Sequence, residues 1–311
     1  MYLTTENISY GATSVVHGAV HSNGGIRFDG TTDSWVRSAK TTYTYSGQSK
    51  PGVWGTGGPA SLFEFPVPVV SFNAISADVA SLLGISDTGG IHLTSSGAEG
   101  WHIVFTTNTF QLYRVTSRDC YHGQGRWRGS GRNRYWDGET HCYDIGNQSL
   151  TGTYALPANG VIFVEDDVWV EGAVNGRVTV AAGRFPALPQ TYQEIYILGN
   201  LTYTDTVGDD VIGLLAQGSI FFPYEIPDTI NVHAALLSQF GKTERPYYQG
   251  SIKHTLNIFG SEISNLAGYY WYGDSGFQYR NYTYDGNLRY YPPVGFPVSP
   301  TYELISWEEI E

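Results

Sequence analysis

Lysine is scarce in this chain. Four lysines stand against thirteen arginines, and the 29 acidic residues outnumber both together, for a net charge of −12. A field of that sign repels phosphate polyanions, so nucleic acid is not an expected partner. Only two cysteines occur in 311 residues, which excludes a disulfide-rich scaffold and leaves room for one bridge. No run is long and apolar enough to span a bilayer. The opening "MYLTTENISYG" has neither the basic region nor the apolar stretch of a secretion signal. No phosphate loop, dinucleotide fingerprint or nucleophile elbow appears, so no cofactor is expected.

In place of charge the chain has 38 glycines and 24 tyrosines. Aromatic and β-branched residues suit pleated surfaces and glycine suits tight turns, which points to an all-β protein. An internal echo refines this expectation. "VHGAVHSNGGIRF" (16–28) and "VEGAVNGRVTV" (170–180) share a V-x-G-A-V element followed by Asn-Gly and an alternating apolar pair. Short strands split by small-residue turns fit the rungs of a parallel β-helix, a β-solenoid whose stacked coils share one core. Two β-hairpins turning at Asn-Gly are the competing reading. The runs "VIFV" (161–164), "IYIL" (195–198), "IGLLA" (212–216), "SIFF" (219–222), "TINVHAALL" (229–237) and "HTLNIF" (254–259) favour the solenoid. They are short, and several are apolar on both sides, as in parallel sheets covered on both faces.

One segment has helical spacing. In "FNAISADVASLLG", Phe72, Ile75, Val79 and Leu82 fall on one face and Gly84 is the expected stop. Such a helix would cap an open end or lie over a lateral face. The apolar pattern breaks near Val115 and resumes near Val161, so residues 105–150 read as a loop inserted into a single domain of residues 1–311. The aromatic segment 269–311 is expected to pack along the outside.

"VHGAVHSNGGIRFDG", "IGLLAQGSIFFP…INVHAALLSQFG" and "YRNYTYDGNLRYYPPVGFP…YELISWEE" resemble a group of bacterial proteins encoded among type IV pilus components. Those proteins carry a pilin-like N-terminal helix before a β-helical exterior domain. The valine–glycine rungs are also, more distantly, similar to bactofilins. The resemblance implies an exported, non-catalytic structural or adhesive protein at the cell surface. Its partners would be other pilus or surface subunits, and a glycan or surface ligand. Contact with a membrane would run only through an apolar N-terminal helix that these residues do not include.

The segment "CYHGQGRWRGSGRNRYWDGETHC" (120–142) holds the most unusual chemistry. Cys120, His122, His141 and Cys142 form a Cys₂His₂ set, but zinc ligands come in pairs separated by two or more residues. Here the spacers are one residue and none, so no metal is expected. In an exported protein a Cys120–Cys142 disulfide is the stronger expectation, closing the insertion. Inside it, Arg126, Arg128, Arg132 and Arg134 interleave with Trp127 and Trp136. Arginine beside aromatic rings suits a ligand or partner face; the same arginines could equally neutralise the protein's own acids.

Other motifs weigh less. "GDSGF" (273–277) echoes the nucleophile region of chymotrypsin-like proteases but lacks its surroundings, and a tight turn is the simpler reading. Asp166 with Asp167 and Asp209 with Asp210 offer acid pairs for a glycan-active β-helix enzyme, the alternative function. Adjacent strand residues face opposite ways, so each pair would need a turn to converge.

Overall fold

The computed structural model describes residues 2–71 and 78–296. Strand structure dominates, with a single α-helix and a Cys120–Cys142 disulfide among the described residues. All six apolar runs lie in strands of one 20-stranded sheet whose pairings are mostly parallel.

One ladder shows how the sheet is built. Ile162 pairs with Val180, Val180 with Leu214, Leu214 with Leu236, and Leu236 with Glu262. Glu262 then pairs with Tyr2, Tyr2 with Val20, and Val20 with Val36. The strand Tyr2–Thr4 is thus sandwiched between Ile252–Ser264 and Val20–Ser22, in the middle of the sheet. Neighbours on the same face stack in register and fill one core that includes Ile162, Val180, Leu214, Leu236 and Val20. Their alternates Val161, Phe163, Ala181 and Leu215 face the other way and form a second apolar layer. Both faces of this stretch are covered, which explains why its strands are apolar without alternation.

The Asn-Gly echo is settled by pairing. Val168–Val174 and Arg177–Ala182 flank Asn175-Gly176 but do not pair with each other. Each pairs in parallel with strands from other parts of the chain, so no hairpin forms there. The long strand Ile252–Ser264 serves two ladders, and it passes between them at Gly260, whose φ is +154°. A Cβ on Gly260 would meet the Ala234 carbonyl oxygen at 1.9 Å, so only glycine fits. On the outer face Asn231, Asn257 and Asn281 align in register; Asn257 Nδ2 donates to Asn231 Oδ1 at 2.9 Å and Asn281 Nδ2 to Asn257 Oδ1 at 2.8 Å.

The helix Asp78–Ser86 lies over a lateral face, with Val79 and Leu82 on Val161, Phe163 and Leu215. It runs through Gly84, which is therefore not its stop. The turn comes at Gly89, with φ +100°. Phe72 and Ile75 lie outside the described residues. The aromatic C-terminal segment splits in two. Gly276–Tyr284 is a sheet strand between Ile252–Ser264 and Ser14–His17, with Phe277 and Tyr282 in the core, so this part is not packed outside. An alternating pattern of aromatic rings is as good a strand as an aliphatic one. Residues 286–296 do lie outside, where Arg177 and Thr179 donate to the Pro292 and Val294 carbonyls.

The insertion is not a loop. Thr109–Arg128 and Tyr135–Ala155 form an antiparallel β-hairpin with several register shifts. Polar residues on both faces hide it from an apolar-pattern search, because most of the hairpin borders solvent.

Candidate binding surfaces

The hairpin is docked on an aromatic ladder. Trp169, Tyr196 and Phe221 are register partners, with Trp169 stacked on Tyr196 at 4.8 Å between centroids, about the spacing of paired strands. Tyr143 of the hairpin stacks on Phe221 at 4.7 Å. Arg118, also of the hairpin, places its guanidinium 4.7 Å from the Trp169 ring and bonds Asp167 at 2.7 Å and Glu99 at 3.0 Å. Farther along, Tyr121 stacks on Tyr224 at 3.9 Å, and Asp144 accepts the backbone N–H groups of Tyr224 and Glu225. Beneath the hairpin Glu194 is pushed up to about 8 by burial and by neighbouring Asp167. These acids are engaged: Asp167 accepts from Arg118, the Tyr196 hydroxyl and the Glu194 N–H, and Glu194 accepts from the Ser219 N–H.

The disulfide joins the two hairpin strands just before the last body contacts, which are made by Tyr121, His122 and His141. Both thiols being used, Cys120, His122, His141 and Cys142 do not form a ligand set, and no cluster among the described residues is arranged to hold a metal ion. Instead His122 stacks on Trp136 at 4.4 Å. Past this point residues 124–138 make no hydrogen bond, ion pair or ring contact with the main body among the described residues. Trp127 sits opposite Trp136, and Arg134 lies over the Trp127 ring at 4.5 Å. Arg128 pairs with Asp137. Arg126 and Arg132 are exposed and make no ion pair among the described residues. The six expected contact residues therefore do share one protruding tip, and among the described residues only Arg128 is neutralised by the protein's own acid.

The remaining motifs are structural. Ser275 is fully buried and its Oγ accepts the Tyr248 N–H, as in a turn. Asp166 accepts from Ser95 and Ser96, and Asp210 from Gly176 and Thr204.

A second surface was not legible in the sequence. Glu262 occupies a core position of the ladder described above, where its neighbours are Leu236 and Tyr2. It borders a cavity of about 400 Å³ on the side of the molecule where residues 268–271 and the strand Ile8–Tyr10 face each other without backbone pairing. The rings of Tyr10, Tyr270 and Tyr282 line it, with Tyr282 edge-on to Tyr10 at 5.8 Å and to Tyr2 at 5.4 Å. The Tyr270 hydroxyl donates to Glu262 Oε2 at 3.0 Å. Burial pushes the Glu262 carboxyl up to about 7. The available signal was phase: Leu256, Ile258 and Glu262 share one face of a strand, so the glutamate falls on the apolar side.

No known protein-family model, curated protein or solved structure matches this chain.

Proposed function

We propose that the chain is an exported, non-catalytic β-solenoid protein, the exterior domain of a pilin-like or other surface-appendage subunit, with the hairpin tip as its contact surface. The parallel ladders, in which Val168–Val174 and Arg177–Ala182 pair with other strands and not with each other, support the solenoid reading. A rigid stack of rungs holds the hairpin at a defined place, and the disulfide is compatible with an oxidising exterior. No helix among the described residues is long and apolar enough to cross a membrane.

The observation that carries the proposal is the tip itself. Residues 126–137 hold four arginines and one acid in a chain of net charge −12. Trp127 is 46% exposed although it is a large apolar residue. Unneutralised guanidinium groups beside an indole suit an acidic glycan or an acidic patch on a neighbouring subunit. The glycan-active enzyme reading has less support, because Asp166, Asp167 and Asp210 of its candidate pairs are spent on internal hydrogen bonds. The test is retention of the full chain on an immobilised uronic-acid polysaccharide, with single-stranded DNA and a neutral polysaccharide as parallel arms. The triple variant Arg126→Ala, Trp127→Ala, Arg132→Ala should lose retention on the acidic glycan at least tenfold while melting as the wild type does. Equal retention of the variant, or a preference for the neutral polymer, would overturn the tip's role.

A further inference from the structure

The Glu262 cavity is separate from the hairpin tip, and nothing in the proposed structural role requires it. A carboxylate in the middle of an apolar ladder costs stability unless a partner balances it. Among the described residues Glu262 has no basic partner: its hydrogen bond comes from the Tyr270 hydroxyl. Close by, the Tyr2 hydroxyl is buried without any hydrogen-bond partner, and both residues border a small recess of about 10 Å³ next to the main cavity. The fold thus leaves polar groups under-partnered on this side of the ladder.

The other charged groups of the cavity are already occupied. Arg27 is paired with Asp29 at 2.7 Å, and Asp29 also accepts from Thr56. Arg280 is buried and donates to the Ser14 and Thr13 hydroxyls and to the Phe277 and Gln278 carbonyls. His21, at the small recess, is pushed below its usual range by burial, and it bonds Asn23. The tyrosines around Glu262 are held above their ordinary range by burial, so they stay neutral. What remains is a carboxylate with no basic partner among the described residues, framed by electron-rich ring faces, a setting that attracts a cation.

We propose that this cavity binds a protonated primary amine carried by a small organic ligand. Its N–H groups would be held by the Glu262 carboxylate, with the ligand's carbon skeleton against Tyr10, Tyr270 and Tyr282. A cavity of about 400 Å³ takes a group of sugar or short-chain size. An amino sugar and a free alkyl diamine present the same ammonium chemistry, and the experiment separates them.

Calorimetric titrations of the full chain would use glucosamine, cadaverine, N-acetylglucosamine and glucuronate, each into wild type and Glu262→Gln. Glucosamine or cadaverine should bind the wild type, identifying the sugar or the alkyl source. N-acetylglucosamine, which has lost the charge, should bind at least tenfold more weakly, and so should glucuronate. Glu262→Gln keeps the shape and the acceptor for Tyr270, and it should lose amine affinity at least tenfold while remaining folded by circular dichroism. Lowering the pH from 7.5 to 5.5 protonates Glu262 and should weaken cadaverine binding by on the order of tenfold. Binding of the neutral or acidic sugar as tight as that of the amines, full affinity in Glu262→Gln, or no amine binding at millimolar concentration would each overturn the assignment. The hairpin-tip triple variant should bind amines unchanged, so the two surfaces can fail independently.

Discussion

Replacing Glu262 by glutamine should stabilise this protein at high pH and leave it unchanged at low pH. Burial holds the folded carboxyl at about 7, against 4.5 for the unfolded chain, a difference equivalent to about 3 kcal/mol. The sign follows from which state binds the proton more tightly. Below pH 4.5 the carboxyl is protonated in both states and contributes no difference. Between 4.5 and 7 the unfolded chain releases its proton first, so wild-type stability falls as the pH rises, and the full cost is present above 7. Glutamine is neutral throughout and still accepts from Tyr270. Because the cavity gives solvent some access to the carboxylate, screening trims the expected gain at pH 8 to about 1–3 kcal/mol. Urea unfolding followed by tryptophan fluorescence, at pH 4.5, 6, 7 and 8, measures the difference directly. The contributions of Glu194, Asp167 and other buried acids are common to both proteins and cancel. A gap that is constant with pH, or a variant less stable than wild type at pH 8, would refute the reasoning.

Two further perturbations probe the hairpin. Cys120→Ser with Cys142→Ser removes a cross-link whose chain-entropy value for a loop of this size is about 3 kcal/mol. Hydrogen exchange should therefore speed up from Tyr121 to His141 and stay unchanged in Val161–Val164; uniform protection of the tip would show that strand pairing alone holds it. Trp169→Ala deletes the fully buried centre of the aromatic ladder and the ring beneath Arg118. It should cost roughly 3–5 kcal/mol and expose the base of the hairpin to protease before the body unfolds, whereas a loss below 1 kcal/mol would mean that the ladder does not anchor the hairpin.

How much of this was legible depended on whether the signal was local. Glycine, tyrosine and short apolar runs determined an all-β chain, because strand preference is carried by each residue and its nearest neighbours. Ligand spacing at Cys120, His122, His141 and Cys142 pointed to a disulfide over a metal, since adjacent residues cannot converge on one ion. The helix was visible in Val79 and Leu82, although Gly84 was misread as its end: one glycine weakens a helix without breaking it once a packed face holds both sides. The hairpin was missed because its partners lie across a turn and its exposed faces carry no apolar alternation. Tertiary structure alone decided that Tyr2–Thr4 inserts beside Ile252–Ser264, because nothing in either segment specifies a partner some 260 positions away. That pairing is also what buries Glu262. The sequence showed an ordinary glutamate near the end of a strand, and only the stacking of Tyr2–Thr4 against Ile252–Ser264 turned it into a carboxylate among tyrosine rings.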